Sequence, residues 1–241
     1  MAIAALIVLA LIAGAVWYGK EHTPTRPLLL FTSLPIYWPE APDIATALKG
    51  EEQPHWARRA LEAKWALRPV DTLDAATLGK ARDLLIVQPR PLSPAENVAL
   101  DEWVANGGHL LLFADPALTA ASTFALGDRR RPQDIVLLSP ILARWGLRLE
   151  FDADQAPGEH AVALGGGVAV PVNLPGRFAA EAGGREEAVC RIEVDALLAD
   201  CRIGRGRVLA LADAALFEPV DASAAEAAHR AGLDTLLARA F

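Results

Sequence analysis

Residues 83–116 read DLLIVQPRPLSPAENVALDEWVANGGHLLLFADP, and this stretch sets the fold. Asp83-Leu84-Leu85-Ile86-Val87 is an unbroken apolar run stopped by Gln88-Pro89. Such a run suits a strand covered on both faces, the kind found in parallel sheets. Ser93-Pro94-Ala95-Glu96 then predicts a helix start, with Ser93 as N-cap, Pro94 in the first helical position and Glu96 closing a capping box. Leu100, Trp103 and Val104 supply its apolar face, and Asn106-Gly107-Gly108 ends it with residues that tolerate positive φ. His109 to Ala114 is the next buried strand, ending at Asp115-Pro116. Strand, helix and strand in this order make a βαβ unit, with a right-handed crossover as the default.

The same alternation extends outward. Leu28 to Ser33 is an apolar run ending in polar residues, and a loop, Pro35-Ile36-Tyr37-Trp38-Pro39-Glu40, follows. His55 to Trp65 has helical spacing, with Trp56, Ala60, Leu61 and Trp65 on one side. Leu67 to Val70 reads as a strand, Val136 to Trp145 as a helix stopped at Gly146, and Leu147 to Phe151 as a strand. Beyond about residue 155 the pattern changes. His160 to Val172 and Ala188 to Ile203 read as short strands joined by Gly-rich turns, an antiparallel extension. Val208 to Ala212 is a last buried strand ending at Asp213, and Ala222 to Phe241 a terminal helix. The expected architecture is α/β: a flavodoxin-like, three-layer domain with a mainly parallel sheet and a late antiparallel extension. Five or six repeats are too few for a TIM barrel.

Composition excludes several classes. The chain has 241 residues, 53% hydrophobic, which rules out disorder as the main state. Two cysteines do not make a disulfide scaffold. A net charge of −7 argues against nucleic-acid binding. Ala2 to Tyr18 carries no charge, and at 1.5 Å per residue it reaches roughly the length that crosses a bilayer. Trp17 and Tyr18 stand where an interfacial aromatic belt would be. The division expected is a transmembrane anchor over 1–19, a linker over 20–26 and an α/β domain over 27–241. A cleaved signal peptide is the rival reading, since Ala13-Gly14-Ala15 fits a small-x-small site, but no Lys or Arg precedes the run. Lys20 and Arg26 weakly favour the body on the cytoplasmic side. Cys190 and Cys201 fall on segments read as neighbouring strands; they pair in an oxidising compartment or are two small, separately placed residues.

The 83–116 stretch resembles the class I glutamine amidotransferase-like domain of ABC-transporter auxiliary proteins, including the gliding-motility type. Gly204-Arg205-Gly206-Arg207-Val208-Leu209-Ala210-Leu211-Ala212-Asp213 is similar to the closing strand of that domain. Ser33-Leu34-Pro35-Ile36-Tyr37-Trp38 resembles the opening loop of a bacterial branch with one N-terminal membrane helix. The resemblance covers most of residues 27–220. It implies a non-catalytic relative of the amidotransferases at the bacterial inner membrane, single-pass, acting beside the subunits of an ABC-type transporter.

The residues themselves point away from catalysis. A glutaminase needs a thiolate on a sharp strand-to-helix turn, activated by a His and an acid. No cysteine ends a predicted parallel strand, and neither Gly-x-Cys-x-Gly nor Gly-x-Ser-x-Gly occurs. Gly165-Gly166-Gly167 lacks the Lys-Ser/Thr of a phosphate loop and reads as a hairpin turn. The five histidines are scattered without metal-ligand spacing, so no metal and no cofactor are expected. In open α/β sheets ligands lie beyond the carboxyl ends of the strands. The candidate binding residues are therefore Ser33, Gln88, Asp115 and Asp213 at those ends, with Tyr37, Trp38, Glu40, Arg90, Asp128 and Arg129 in the loops after them. Two roles suit such a polar rim. One is a partner-protein surface anchored by Trp38, on a membrane-bound accessory module. The other is a small-ligand or hydrolytic site built on Asp115 and Asp213. The bland reading of each Asp is a turn or helix cap.

Overall fold

The computed structural model describes residues 26–41, 53–220 and 223–241. The chain forms β1 (Pro27–Thr32), α1 (Trp56–Glu62), β2 (Ala66–Pro69), α2 (Ala75–Leu78), β3 (Asp83–Val87), α3 (Pro94–Ala105) and β4 (His109–Phe113). A long connection leads to α4 (Ser139–Arg144) and β5 (Leu147–Glu150). Six further strands follow: β6 (His160–Gly165), β7 (Val168–Val172), β8 (Arg177–Ala180), β9 (Ala188–Glu193), β10 (Leu198–Ile203) and β11 (Gly206–Leu211). A 3-10 turn (Ala215–Phe217) and α5 (Ser223–Ala240) complete it.

Seven strands form one sheet in the order β2-β1-β3-β4-β11-β10-β9. The first five are parallel, with Leu28 opposite Asp83, Asp83 opposite His109 and His109 opposite Arg207. Their order is the 2-1-3-4-5 of flavodoxin-like sheets, the last strand of the chain taking fifth place. β10 and β9 continue the same sheet antiparallel. The late extension is thus the edge of the main sheet. Two separate ribbons, β5–β8 and β6–β7, account for the other late strands.

Leu28, Leu29, Leu84, Leu85, Leu110, Leu111, Leu209 and Leu211 have no exposed surface. Consecutive residues are buried because helices cover both faces: α1 packs against α5, while α2, α3 and α4 pack in succession. The capping box forms as the sequence predicts. Ser93 Oγ accepts from Glu96 N at 3.2 Å and Glu96 Oε2 accepts from Ser93 N at 2.9 Å. Glu96 also binds Arg90 Nη2 at 2.7 Å and Leu73 N at 3.2 Å, tying the helix start to the β2–α2 connection. The Arg90 contact chiefly holds the Glu96 carboxyl down at about 2. At the other end of α3, Gly107 takes φ +111°, the left-handed cap expected of glycine. Gly206 lets the β10–β11 hairpin press on α3, since a Cβ there would lie 2.0 Å from the Val104 oxygen.

Some bounds move. The helix expected over 136–145 begins only at Ser139, and α2, too short for a periodic signal, is an addition. Cys190 and Cys201 face each other across β9 and β10 with Cα atoms 4.0 Å apart and are joined by a disulfide. The anchor read over residues 2–18 lies outside the described residues. Among the described residues no helix is long and apolar enough to cross a membrane.

Candidate functional site

The strand order reverses between β1 and β3, so the crevice expected to take a ligand lies beyond Thr32 and Val87. The next residues are Ser33 and Gln88. Gln88 has φ +42°, a strained conformation for a non-glycine residue. Its side chain has no exposed surface and is fully used. Nε2 donates to the Asp115 oxygen at 3.0 Å and the Gln133 oxygen at 2.7 Å, and Oε1 accepts from Asp115 N at 2.9 Å. Ser33 Oγ donates to the Gln88 oxygen at 2.5 Å and accepts from Gln133 N at 3.0 Å. The connection between β4 and α4 therefore fills the crevice, and both residues hold it down.

Asp115 and Asp213 follow β4 and β11, and neither has exposed surface. The open carboxylate rim expected from the sequence is thus replaced by a buried pair, because backbone folds over the strand ends. Asp115 accepts from Ala117 N at 2.8 Å and Ala214 N at 3.1 Å. Asp213 accepts from Ala215 N at 2.7 Å and Asn173 N at 2.9 Å. Both carboxylates cap turns. Burial pushes Asp115 up to about 6, against the pull of its two N–H donors. Burial, and then the neighbouring Asp115, push Asp213 well above the usual carboxylate range. Nearby, Glu218 binds the Thr119 hydroxyl, which also accepts from Asn173 Nδ2 at 3.0 Å. Among the described residues no group of His, Cys, Asp and Glu is arranged to hold a metal ion.

What opens to solvent is the ground beside β1 and β2. A cleft of about 310 Å³ is lined by Ser33, Tyr37, Trp38, Glu40, Phe124 and Arg130. A second, of about 360 Å³, lies behind the same loop, against His55 and Arg58. Tyr37 is clamped: Arg58 stacks its guanidinium 4.1 Å from the ring centroid and donates to the Tyr37 oxygen at 2.9 Å. Trp38 packs edge-on against Tyr37 with centroids 4.9 Å apart, yet 69% of it is exposed. Glu40 accepts from Ser122 Oγ at 2.7 Å and Thr123 N at 2.7 Å, fixing the loop to the long connection. Trp56, Trp65, Trp103 and Trp145 are buried or half-buried in and around the helices.

The candidates thus separate. Tyr37, Trp38 and Glu40 stand together at the cleft. Ser33 spans the cleft and the closed crevice. Gln88, Asp115 and Asp213 lie inside. Arg90 belongs to the α3 cap. Asp128 is tied to Arg130, which stacks 4.2 Å from the Phe124 centroid, while Arg129 is exposed and makes no ion pair among the described residues. Gln133, Asn173, Thr119 and Glu218 complete the buried network, and no motif marks them. A larger depression, of about 1150 Å³, lies elsewhere, between α3, α4 and the β10–β11 hairpin.

These features define a three-layer α/β domain whose sharp turn after β3 carries a buried, hydrogen-bonded amide. A family model described as "ABC-type uncharacterized transport system" matches residues 39–165, just over half of the chain, and the chain belongs to that family of auxiliary proteins. No curated protein matches it. Among solved structures, an exo-β-1,4-mannosidase from Opitutaceae bacterium strain TAV5 is 14% identical over 90% of this chain and 34% of its own, with a TM-score of 0.44. A cold-adapted β-galactosidase from Rahnella sp. R3 is 14% identical over 90% and 31%, with a TM-score of 0.48. A ThuA-like protein from Bacteroides uniformis is 11% identical over 87% and 91%, with a TM-score of 0.41. The chain spans about a third of the length of the glycosidases it matches. Likenesses this distant carry no statement about activity.

Proposed function

We propose that this protein is a non-catalytic accessory module of an ABC-type transport system, tethered to the bacterial inner membrane by residues 2–18 and binding a partner subunit through the Tyr37–Trp38 loop. The observation that carries the reading is the contrast at the carboxyl edge of the sheet. The groups that could do chemistry there, Ser33, Gln88, Asp115 and Asp213, are committed to backbone partners. The aromatic that could make a contact, Trp38, projects from a loop made rigid by Arg58 and Glu40. A large, rigid, exposed aromatic is the usual anchor of a protein interface. The Cys190–Cys201 pairing supports a domain on the oxidising side of the membrane, against the weak bias of Lys20 and Arg26.

Affinity purification from gently solubilised native membranes tests the reading. Stoichiometric ATPase and permease subunits are expected with the wild type, and Trp38→Ala should lose them while folding normally. Equal recovery by both proteins would remove Trp38 as the anchor, and recovery of the protein alone after crosslinking would sink the complex.

A further inference from the structure

The two ends of the sheet differ in charge. Lys80 and Arg82 precede β3, and Arg202 and Arg205 flank the β10–β11 turn. All four therefore lie at the amino edge of the parallel strands; all are exposed and make no ion pair among the described residues. Two are held in place by neutral groups. Arg82 Nε donates to the Gly107 oxygen at 3.2 Å and Arg205 Nη2 to Asn106 Oδ1 at 3.1 Å. The other cations of this edge are neutralised: Arg26 by Asp83, Arg207 by Asp200 and Arg239 by Glu193. Unpaired carboxylates run the other way. Among the described residues, Glu102 and Glu186 stand at the amino edge, whereas the solvent-facing Glu40, Asp71, Asp152, Asp154 and Asp195 lie at the carboxyl end and outnumber its unpaired cations Arg129 and Arg177.

The chain enters the domain at this same amino edge, since Arg26 directly precedes β1. From Tyr18 to Arg26 a fully extended chain reaches at most about 27 Å. We infer that the amino edge, through Lys80, Arg82, Arg202 and Arg205, is a docking surface for an anionic lipid bilayer, and that it turns the Trp38 edge away from the membrane. This rests on the reading of residues 2–18 as a membrane anchor. The physical ground is charge complementarity at short range. A cation within a screening length of about 8 Å of an anionic surface is attracted by roughly a fivefold factor in occupancy. The acidic carboxyl end is repelled by the same field. An overall negative domain thereby acquires a preferred orientation that its net charge would not provide.

The test uses the full chain reconstituted into vesicles, with a fluorophore on Ala63→Cys, an exposed position at the end of α1 on the amino edge. Flotation reports the anchor, and quenching by nitroxide headgroups reports the distance of the edge. Vesicles with about 30 mol% phosphatidylglycerol are compared with purely zwitterionic ones. Flotation is expected in both, with stronger quenching in the anionic vesicles. Changing Lys80, Arg82, Arg202 and Arg205 together to Gln should return quenching to the zwitterionic level, about fivefold in edge occupancy per charge removed. Arg129→Gln with Arg177→Gln, on the opposite side, should leave it unchanged. Equal quenching in the two lipids, or no effect of the fourfold variant, overturns the docking surface and leaves the anchor standing. Failure to float overturns the anchor and the surface with it.

Discussion

Raising the pH from about 4 to about 7 is expected to destabilise the folded domain through its buried acids, and Asp115→Asn should flatten that dependence. An unfolded Asp ionises near 3.8, whereas burial holds Asp115 at about 6. Between those values the unfolded chain has released a proton that the native state still carries. Stability associated with this group is therefore fully present below about 4 and is lost as pH rises through about 6. The gap of about two units corresponds to about 3 kcal/mol for Asp115. Asp213, raised further by burial and by Asp115, extends the loss to higher pH. Two histidines oppose it. Burial lowers His55, and burial with Arg82 lowers His109, so both favour the folded state as pH climbs towards 6.5. Glu96, held at about 2 in the folded domain, opposes it too at the acid end, because its stabilisation still grows until pH passes the ordinary 4.5 of the unfolded carboxyl, and is constant only above that. The informative quantity is thus the difference between variants. Urea unfolding of the full chain in a mild nonionic detergent, followed by far-UV circular dichroism, should give a steeper fall with pH for the wild type than for Asp115→Asn. The variant starts less stable, because one amide oxygen cannot accept from both Ala117 and Ala214. Identical slopes for the two proteins would refute the assignment of the titrating proton to this pair.

Other perturbations have equally definite outcomes. Reducing Cys190–Cys201 releases a closure of 11 residues, which costs about 3 kcal/mol by chain entropy. A thermal melt with and without reductant should show a shift of roughly 6–10 °C, and Cys190→Ala with Cys201→Ala should be insensitive to reductant. Gly206→Ala would drive a Cβ to 2.0 Å from the Val104 oxygen and 2.4 Å from the Gly108 oxygen. Backbone cannot yield there cheaply, so a loss of about 3 kcal/mol in denaturant unfolding is expected.

The sequence by itself determined the β3–α3–β4 unit almost to the residue, because each signal is local. Ser93, Pro94 and Glu96 act within the first turn of the helix, and Gly107 acts just past its last turn. The parallel character of the sheet was equally legible, since strands covered on both faces must be apolar throughout. The burial of Trp56 and Trp145 followed from helix spacing, whereas the loop position of Trp38 fitted an exposed anchor and a ring packed over the strand ends equally well. Only the tertiary structure decided what lies over the strand ends. Asp115 and Asp213 read as a rim because they end strands, but the connection after β4, pinned by Gln88 and Ser33, closes over them. That closure joins residues far apart in sequence, such as Asn173 to Asp213 and Thr119 to Glu218. Hydrogen bonds of this kind leave no periodic trace in the chain. The segregation of unpaired charge to the amino edge has the same origin: Lys80 and Arg205 become neighbours of one surface only when the strands that they precede lie side by side.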